Sequence, residues 1–419
     1  MKKLIILNLI TFFIYSAASA QTADDSKLLE YYQSQRYTDA ANYLKENNPE
    51  PIANLKVLSR LAYTMQLANR LPEAEAYYQR VYDLDTTNQG ALFNMGSINL
   101  KRGNYLKAET YYQKIADRDT ANFAAYKQLG TIANFKKDTL AEIKYLQKAN
   151  KLNNQDIDVV VDLANCYISQ KAFDPALKIL KIAAEGDPDN VYILLSMATI
   201  TFKQKLWTPT IQTCNKLIAL GATDDQVYYK MGVSYFNLKN YACGAECLGS
   251  IPDAAQTEYS YYFAAECYKG LKDYHAAITL LNKALTQAIS FNTSSYYAEI
   301  ADSNEKLGQT KKAMQAYHKG LQFKDDPAIY NAIGDLYTKL KDKADASKYY
   351  RLAAQAYQKT LPYSSAIAIY TLASLYDAQL KDTANAIKYY RKYLDTKPPL
   401  QQKQFIDFTQ SRIGQLQKN

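Results

Sequence analysis

Residues 89–122 read QGALFNMGSINLKRGNYLKAETYYQKIADRDTAN, residues 123–156 read FAAYKQLGTIANFKKDTLAEIKYLQKANKLNNQD, and residues 157–190 read IDVVVDLANCYISQKAFDPALKILKIAAEGDPDN. Laid over one another without a gap, these three 34-residue stretches keep their small and apolar residues in step. Counted from each start, position 8 is Gly96, Gly130 and Ala164, and position 24 is Tyr112, Leu146 and Leu180. Position 27 is Ile115, Ala149 and Ala183; position 20 is Ala108 and Ala176, with Glu142 the exception. A fixed period of this length describes a unit that cannot bury its apolar face alone and stacks on copies of itself.

The register extends in both directions. Residues 55–88 carry Ala62, Ala74 and Tyr78 at the same places, and a weaker first copy at 21–54 carries Tyr37, Ala40 and Leu44. Further copies near 191–224, 225–257, 258–293, 294–326, 327–360 and 366–398 put Ala198, Gly232, Ala265, Ala301, Gly334 and Ala373 at position 8. That makes eleven repeats. Positions 4, 7, 8 and 11 recur at helical spacing, a break such as Lys101 to Asn104 follows, and a second helix carries positions 20, 24 and 27. Prolines agree. Pro72, Pro175 and Pro209 fall in the first turn of a second helix, where a missing N–H costs nothing, and Pro188 and Pro327 fall between repeats.

The pattern resembles the tetratricopeptide repeat family, which has small residues at positions 8 and 20 and aromatics at 11, 17 and 24. Tyr167, Tyr235, Tyr268, Tyr337 and Tyr376 fill position 11, and Tyr105, Phe173, Trp207, Tyr241 and Tyr274 fill position 17. Departures are a missing Pro at 32 in most repeats, and Thr210 and Gly244 at position 20. The resemblance implies an all-α, right-handed α-solenoid of about eleven helix-turn-helix units. Small residues at 8 and 20 let paired helices approach, so Ala108 reads as core while the adjacent Lys107 faces solvent. Residues 399–419 read as a capping helix and tail, with Phe405, Phe408, Ile413 and Leu416 inward.

Composition narrows the function. Of 419 residues 48% are hydrophobic, and only 14 are Gly and 11 Pro, which excludes disorder and favours helix. Five cysteines in so long a chain exclude a disulfide scaffold. Cys243 and Cys247 lack C-x-x-C spacing; one bridge from either to Cys267 is geometrically open, the other reading being small apolar packing. The two histidines, His275 and His318, and the absence of G-x-S-x-G, phosphate-loop and H-E-x-x-H motifs lead us to expect no enzyme, cofactor or metal site. The net charge is +9, but basic residues are scattered in pairs such as Lys136-Lys137 and Lys311-Lys312, so nucleic acid is not an expected partner.

Residues 1–20 have the layout of a secretory signal peptide: Lys2 and Lys3, an apolar stretch from Leu4 to Tyr15, then Ala18-Ser19-Ala20. The mature chain is therefore expected to start at Gln21 and to be exported, periplasmic or secreted, an uncleaved anchor being the alternative. No other stretch is long enough to span a membrane, since the most apolar run, Val191 to Phe202, suits a buried helix.

The resemblance further implies that positions 2, 5, 9 and 12 of the first helices line a concave surface. There the chain has Val161 and Ile168, then Tyr192, Leu195 and Phe202, then Tyr229, Val233 and Phe236, then Tyr259 and Tyr262. Apolar and aromatic residues on a solvated wall mark a binding surface, here for a protein or peptide; the other reading is that neighbouring helices bury part of the stripe. A tyrosine-lined groove also suits sugar rings, which keeps a glycan or cell-wall polymer as the alternative ligand. The stripe's few Asp, Asn and Gln residues (Asp158, Asn165, Gln226) favour protein. Glu266, Asp302, Glu305, Asp335 and Asp377 continue the stripe as a solvated acidic wall, not a glycosidase pair. Lys127 at position 5 is followed by Thr131 at position 9, so a clamp for C-terminal carboxylates is not supported.

Overall fold

Each repeat closes on the same backbone device. One residue between its two helices has positive φ: Gln35, Asn69, Gly103, Lys137, Lys171, Lys205, Lys239, Lys272, Gly308, Lys341 and Lys381, between 54° and 76°. The next residue then donates its N–H back to the first helix, as Asp138 N does to Ala133 O and Asn240 N to Tyr235 O, both at 2.9 Å. This is a Schellman ending, which satisfies the last carbonyls of the first helix. In repeats four, seven, eight and ten the same residue also caps the second helix: the side chains of Asp138, Asn240, Asp273 and Asp342 accept from the backbone N–H groups of Ala141, Cys243, Ala276 and Asp345. The last residue of the preceding repeat caps six of the first helices, through Asn54, Asn88, Asn122, Asp156, Asp224 and Asp326.

The structure, a computed structural model, describes residues 23–288, 290–361 and 365–418; the expected signal peptide lies outside them. The first helices are Ala23–Gln33, Leu55–Leu67, Gln89–Lys101, Phe123–Phe135, Ile157–Ser169, Val191–Lys203, Asp225–Asn237, Glu258–Gly270, Ser290–Lys306, Pro327–Lys339 and Ala366–Ser374. Their partners are Tyr37–Asn47, Leu71–Leu84, Tyr105–Arg118, Thr139–Leu152, Phe173–Gly186, Trp207–Ala219, Tyr241–Gly249, Tyr274–Gln287, Thr310–Phe323, Lys343–Thr360 and Thr383–Asp395. The described residues contain no strand, and no helix among them is long and apolar enough to cross a membrane. The expected all-α solenoid of eleven hairpins with a C-terminal helix, Lys403–Leu416, is what the chain adopts. In repeat eleven a π-helical segment, Leu375–Gln379, adds one residue before the turn, so Asp382 N reaches Tyr376 O, at 2.9 Å.

The chain divides into two compact units, Met1–Ile200 and Thr201–Asn419. Within each, hairpins pack on their neighbours in chain order, and position 24 of a second helix lies over position 8 of its first. A Cβ on Gly96 would stand 2.8 Å from the Tyr112 ring, one on Gly130 2.7 Å from Leu146, and one on Gly334 2.6 Å from Tyr350. Repeat seven is tightest, because glycine fills both small positions. A Cβ on Gly232 would meet Leu248 at 2.6 Å and the Gly244 carbonyl at 3.2 Å, and that carbonyl has no rotamer to give. Gly232→Ala is therefore expected to destabilise by about 1–2 kcal/mol although alanine is the better helix former. Gly414, on the capping helix with open space around it, should respond to alanine with a gain of up to ~1 kcal/mol. Chemical denaturation of both variants checks the pair, and two changes of the same sign would refute this packing.

All five cysteines are free, so the bridge left open by the sequence is not made. The packing reading holds instead: the Cys267 Sγ fills the space beside Gly244, and burial pushes the Cys247 and Cys267 thiols up to about 12. At the C-terminus Leu416 is buried, but Phe405 and Phe408 keep much of their surface exposed while meeting the Tyr370 ring edge-on at 4.9 and 6.3 Å. The expectation that both phenylalanines face inward holds only in part.

Candidate functional site

The stripe residues are not equivalent. In the first unit, Tyr192 is 66% exposed, Val161 and Leu195 are half-buried, and Ile168 is buried. In the second unit, Tyr259 is 48% exposed, Phe202, Tyr229, Phe236 and Tyr262 are half-buried, and Val233 is buried. Ile168 and Val233 are thus core residues and not part of a contact surface, because neighbouring helices cover these positions.

The half-buried rings of the second unit form a continuous edge-to-face and tilted series. Phe202 meets Tyr229 at 6.1 Å, and Phe263 meets Tyr229, Phe236 and Tyr262 at 6.3, 5.5 and 5.3 Å. Trp207 and Tyr296 extend it, 6.0 Å from Phe202 and 5.4 Å from Tyr262. Such pairs hold rings in place at centroid separations of about 4.5–7 Å, so this is a preorganised apolar surface with limited side-chain freedom left to lose. Its hub, Phe263, was not among the expected site residues. It stands at position 6, where the other repeats between three and nine carry Asn94, Gln128, Asp162, Ser196, Lys230 and Glu299, and that contrast is its signal in the sequence.

Beside the rings is an open cleft of about 260 Å³ lined by Asp225, Gln226, Tyr229, Ile251, Tyr259 and Ser260, among others. Two tyrosines expected at the site therefore share one concavity. Ser260 and Thr257 are engaged in a mutual capping box at the start of Glu258–Gly270, which leaves Asp225 and Gln226 as the polar side chains there with the most freedom.

The acidic wall is largely neutralised from within. Lys269 Nζ lies 3.3 Å from Glu266 and 3.4 Å from Asp302 and also pairs with Glu299. Glu305 accepts from Tyr317 and Lys339, each at 2.8 Å, and Asp335 accepts from Tyr350 at 2.6 Å and Asn331 at 3.2 Å. Arg412 grips both oxygens of Asp377 at 2.8 Å. The expectation of a solvated acidic wall is corrected: most of these carboxylates bind across to a neighbouring repeat or the cap, Asp335 binds within its own repeat, and Asp302, at 42% side-chain exposure, is the most open of those bound to Lys269. Among the described residues no cluster of His, Cys, Asp and Glu could hold a metal ion.

Family models described as tetratricopeptide repeat match residues 67–123, 141–200, 258–288, 327–360 and 366–399, together more than half of the chain. No curated protein matches it. Among solved structures, the C-terminal part of a TPR repeat-containing protein from Cytophaga hutchinsonii aligns at 17% identity and a TM-score of 0.49, covering 59% of this chain and 98% of that one. A tetratricopeptide repeat protein from Parabacteroides merdae aligns at 17% identity and a TM-score of 0.42, covering 60% of this chain and 98% of that one. Yeast Tom70 aligns at 16% identity and a TM-score of 0.43, over 94% of this chain and 96% of its own. With these models matching more than half of the chain, it belongs to the tetratricopeptide repeat family, whose members generally act as non-enzymatic protein-interaction scaffolds.

Proposed function

We propose that this chain is a scaffold of the cell envelope that binds a protein or peptide on the aromatic surface of repeats six to eight. The observation that carries the reading is the ring series from Phe202 to Tyr262 beside the exposed Tyr259 and the cleft it shares with Tyr229. A partner side chain placed there loses water against rings already fixed by their neighbours, the setting in which a few aromatic residues carry most of the binding energy. Export rests on the arrangement of residues 1–20.

The test starts from fractionated cells, with the chain and its partner purified from the envelope fraction. Tyr229→Ala and Tyr259→Ala, with circular dichroism confirming helix content, should each weaken the purified complex by about tenfold, ~1.4 kcal/mol. Normal binding by both variants defeats the site, and recovery of the chain from the cytosolic fraction alone defeats the envelope placement. A glycan ligand is a second reading, favoured by Asp225 and Gln226 standing beside two tyrosines in one cleft. Titration with soluble cell-wall glycans separates the two: saturable binding lost in the same variants supports sugar.

A further inference from the structure

The turns that close the hairpins of repeats six to eleven lie along one edge of the second unit. Five of the six hold a lysine at the positive-φ position: Lys205, Lys239, Lys272, Lys341 and Lys381. Glycine adopts this conformation without steric cost and does so at Gly308, in the remaining repeat, so the fold accepts it there. Lysine is therefore kept against local preference. None of the five amines is in an ion pair or hydrogen bond and all five residues are exposed, Lys381 alone exerting a pull on a neighbouring carboxyl, that of Asp377. A local rule broken repeatedly with no compensation within the fold points to function.

Charge is segregated on the same lines. The six turn segments, 203–208, 237–242, 270–275, 306–312, 339–345 and 380–384, hold eleven lysines against four aspartates. The turns at the opposite edge, which join one repeat to the next, hold seven carboxylates against two lysines within 219–225, 249–258, 323–327 and 395–400. Helix dipoles do not explain the difference. Every turn at either edge contains one helix C-terminus and one N-terminus, so the preferences for cations and anions cancel.

Leucines accompany the lysines. Leu206, Leu238, Leu271 and Leu340 each adjoin one of them in sequence and are 45–55% exposed. Exposed leucine is superfluous for a soluble polyanion, whereas lysine beside leucine suits a lipid surface, where the amine meets headgroup phosphate and the apolar side chain enters the acyl boundary.

We propose that this edge docks on an anionic lipid bilayer. The full chain is mixed with phosphatidylcholine vesicles with and without phosphatidylglycerol, and the readout is the excess binding that phosphatidylglycerol confers. That excess is expected to be present and to fall as salt is raised. Lys239→Gly, Lys272→Gly and Lys341→Gly combined should reduce it by at least about tenfold. Thermal stability should stay equal or rise, because glycine relieves the positive-φ turns, so the loss cannot be assigned to unfolding. Leu238→Ser, Leu271→Ser and Leu340→Ser combined should also reduce the excess while leaving binding to soluble polyphosphate unchanged. No excess binding, or an excess that survives the lysine changes, overturns the proposal. So does an excess insensitive to the leucine changes and matched by polyphosphate, which would identify a soluble polyanion as the partner.

Discussion

Lys269→Met is expected to destabilise the chain by about 2–4 kcal/mol at neutral pH. Lys269 stands at the end of its first helix with 17% of its side chain exposed, and its amine serves Glu266, Glu299 and Asp302 from two repeats. Methionine keeps the packing of the stem but leaves three carboxylates facing one another. Removing one partner of a fully buried pair costs about 3–5 kcal/mol, and the figure here is lower because Asp302 and Glu299 are partly hydrated. The effect also has a pH signature. Burial first, and Glu299 next, hold the Glu266 carboxyl above its usual range even with Lys269 present. A carboxyl raised in the folded state takes up its proton before the unfolded chain does, so its penalty is full above the folded value and is relieved as pH falls toward the ordinary range. Without Lys269, which pulls the other way, the Glu266 carboxyl is shifted further upward. Urea denaturation should therefore show the deficit shrinking as pH falls from neutral toward the ordinary carboxylate range, and Glu266→Gln in the Lys269→Met background should recover part of it at neutral pH. A deficit unchanged across that range would mean that Lys269 acts through packing alone.

The fold was legible because a solenoid writes one local solution many times. Gly96 over Tyr112, Gly130 over Leu146 and Gly334 over Tyr350 are one contact, and the period exposes it. The periodic Asn and Asp that close successive repeats, from Asn54 to Asp224, were equally open to view as helix caps, though polar residues do not stand out in an apolar pattern. What the period does not encode is pairing between different positions of adjacent repeats. Lys269 at position 12 meets Glu299 at position 6 of the next repeat, and Lys107, solvent-facing by helical spacing, pairs at 2.6 Å with the buried Glu75. For the same reason an acidic stripe on paper is, in space, mostly a set of ion pairs, with Asp335 held by Tyr350 and Asn331. The aromatic stripe was legible as a location but not as a list, since whether position 9 or 12 is covered depends on the bulk brought by the neighbouring repeat: Val233 is buried, and Phe236 stays half open beside Phe263.

The second large effect is expected at the C-terminal end, where Arg412→Ala should destabilise the chain and release the capping helix, because it leaves the buried Asp377 carboxylate without its partner. Arg412 approaches Asp377 with two parallel N–H···O bonds of 2.8 Å, and Tyr390 donates to the same carboxylate at 3.2 Å. With 8% of its side chain exposed, Asp377 has little water to fall back on. The apolar contacts of Lys403–Leu416 are modest, Phe405 and Phe408 being half open, so the ion pair carries an unusual share of the docking. Arg412 holds the Asp377 carboxyl below its usual range. Its contribution is thus complete above the ordinary carboxylate range and is lost as pH falls through the depressed value, so in the unmodified chain the cap should loosen only in strong acid. Asp377→Asn added to Arg412→Ala should restore much of the stability, because an amide in that place no longer buries a bare charge. Hydrogen exchange within Lys403–Leu416 reports the docking directly and should accelerate in Arg412→Ala. Unchanged protection there, together with additive effects of the two substitutions, would mean that Leu416 and the ring contacts of Tyr370 hold the cap without the ion pair.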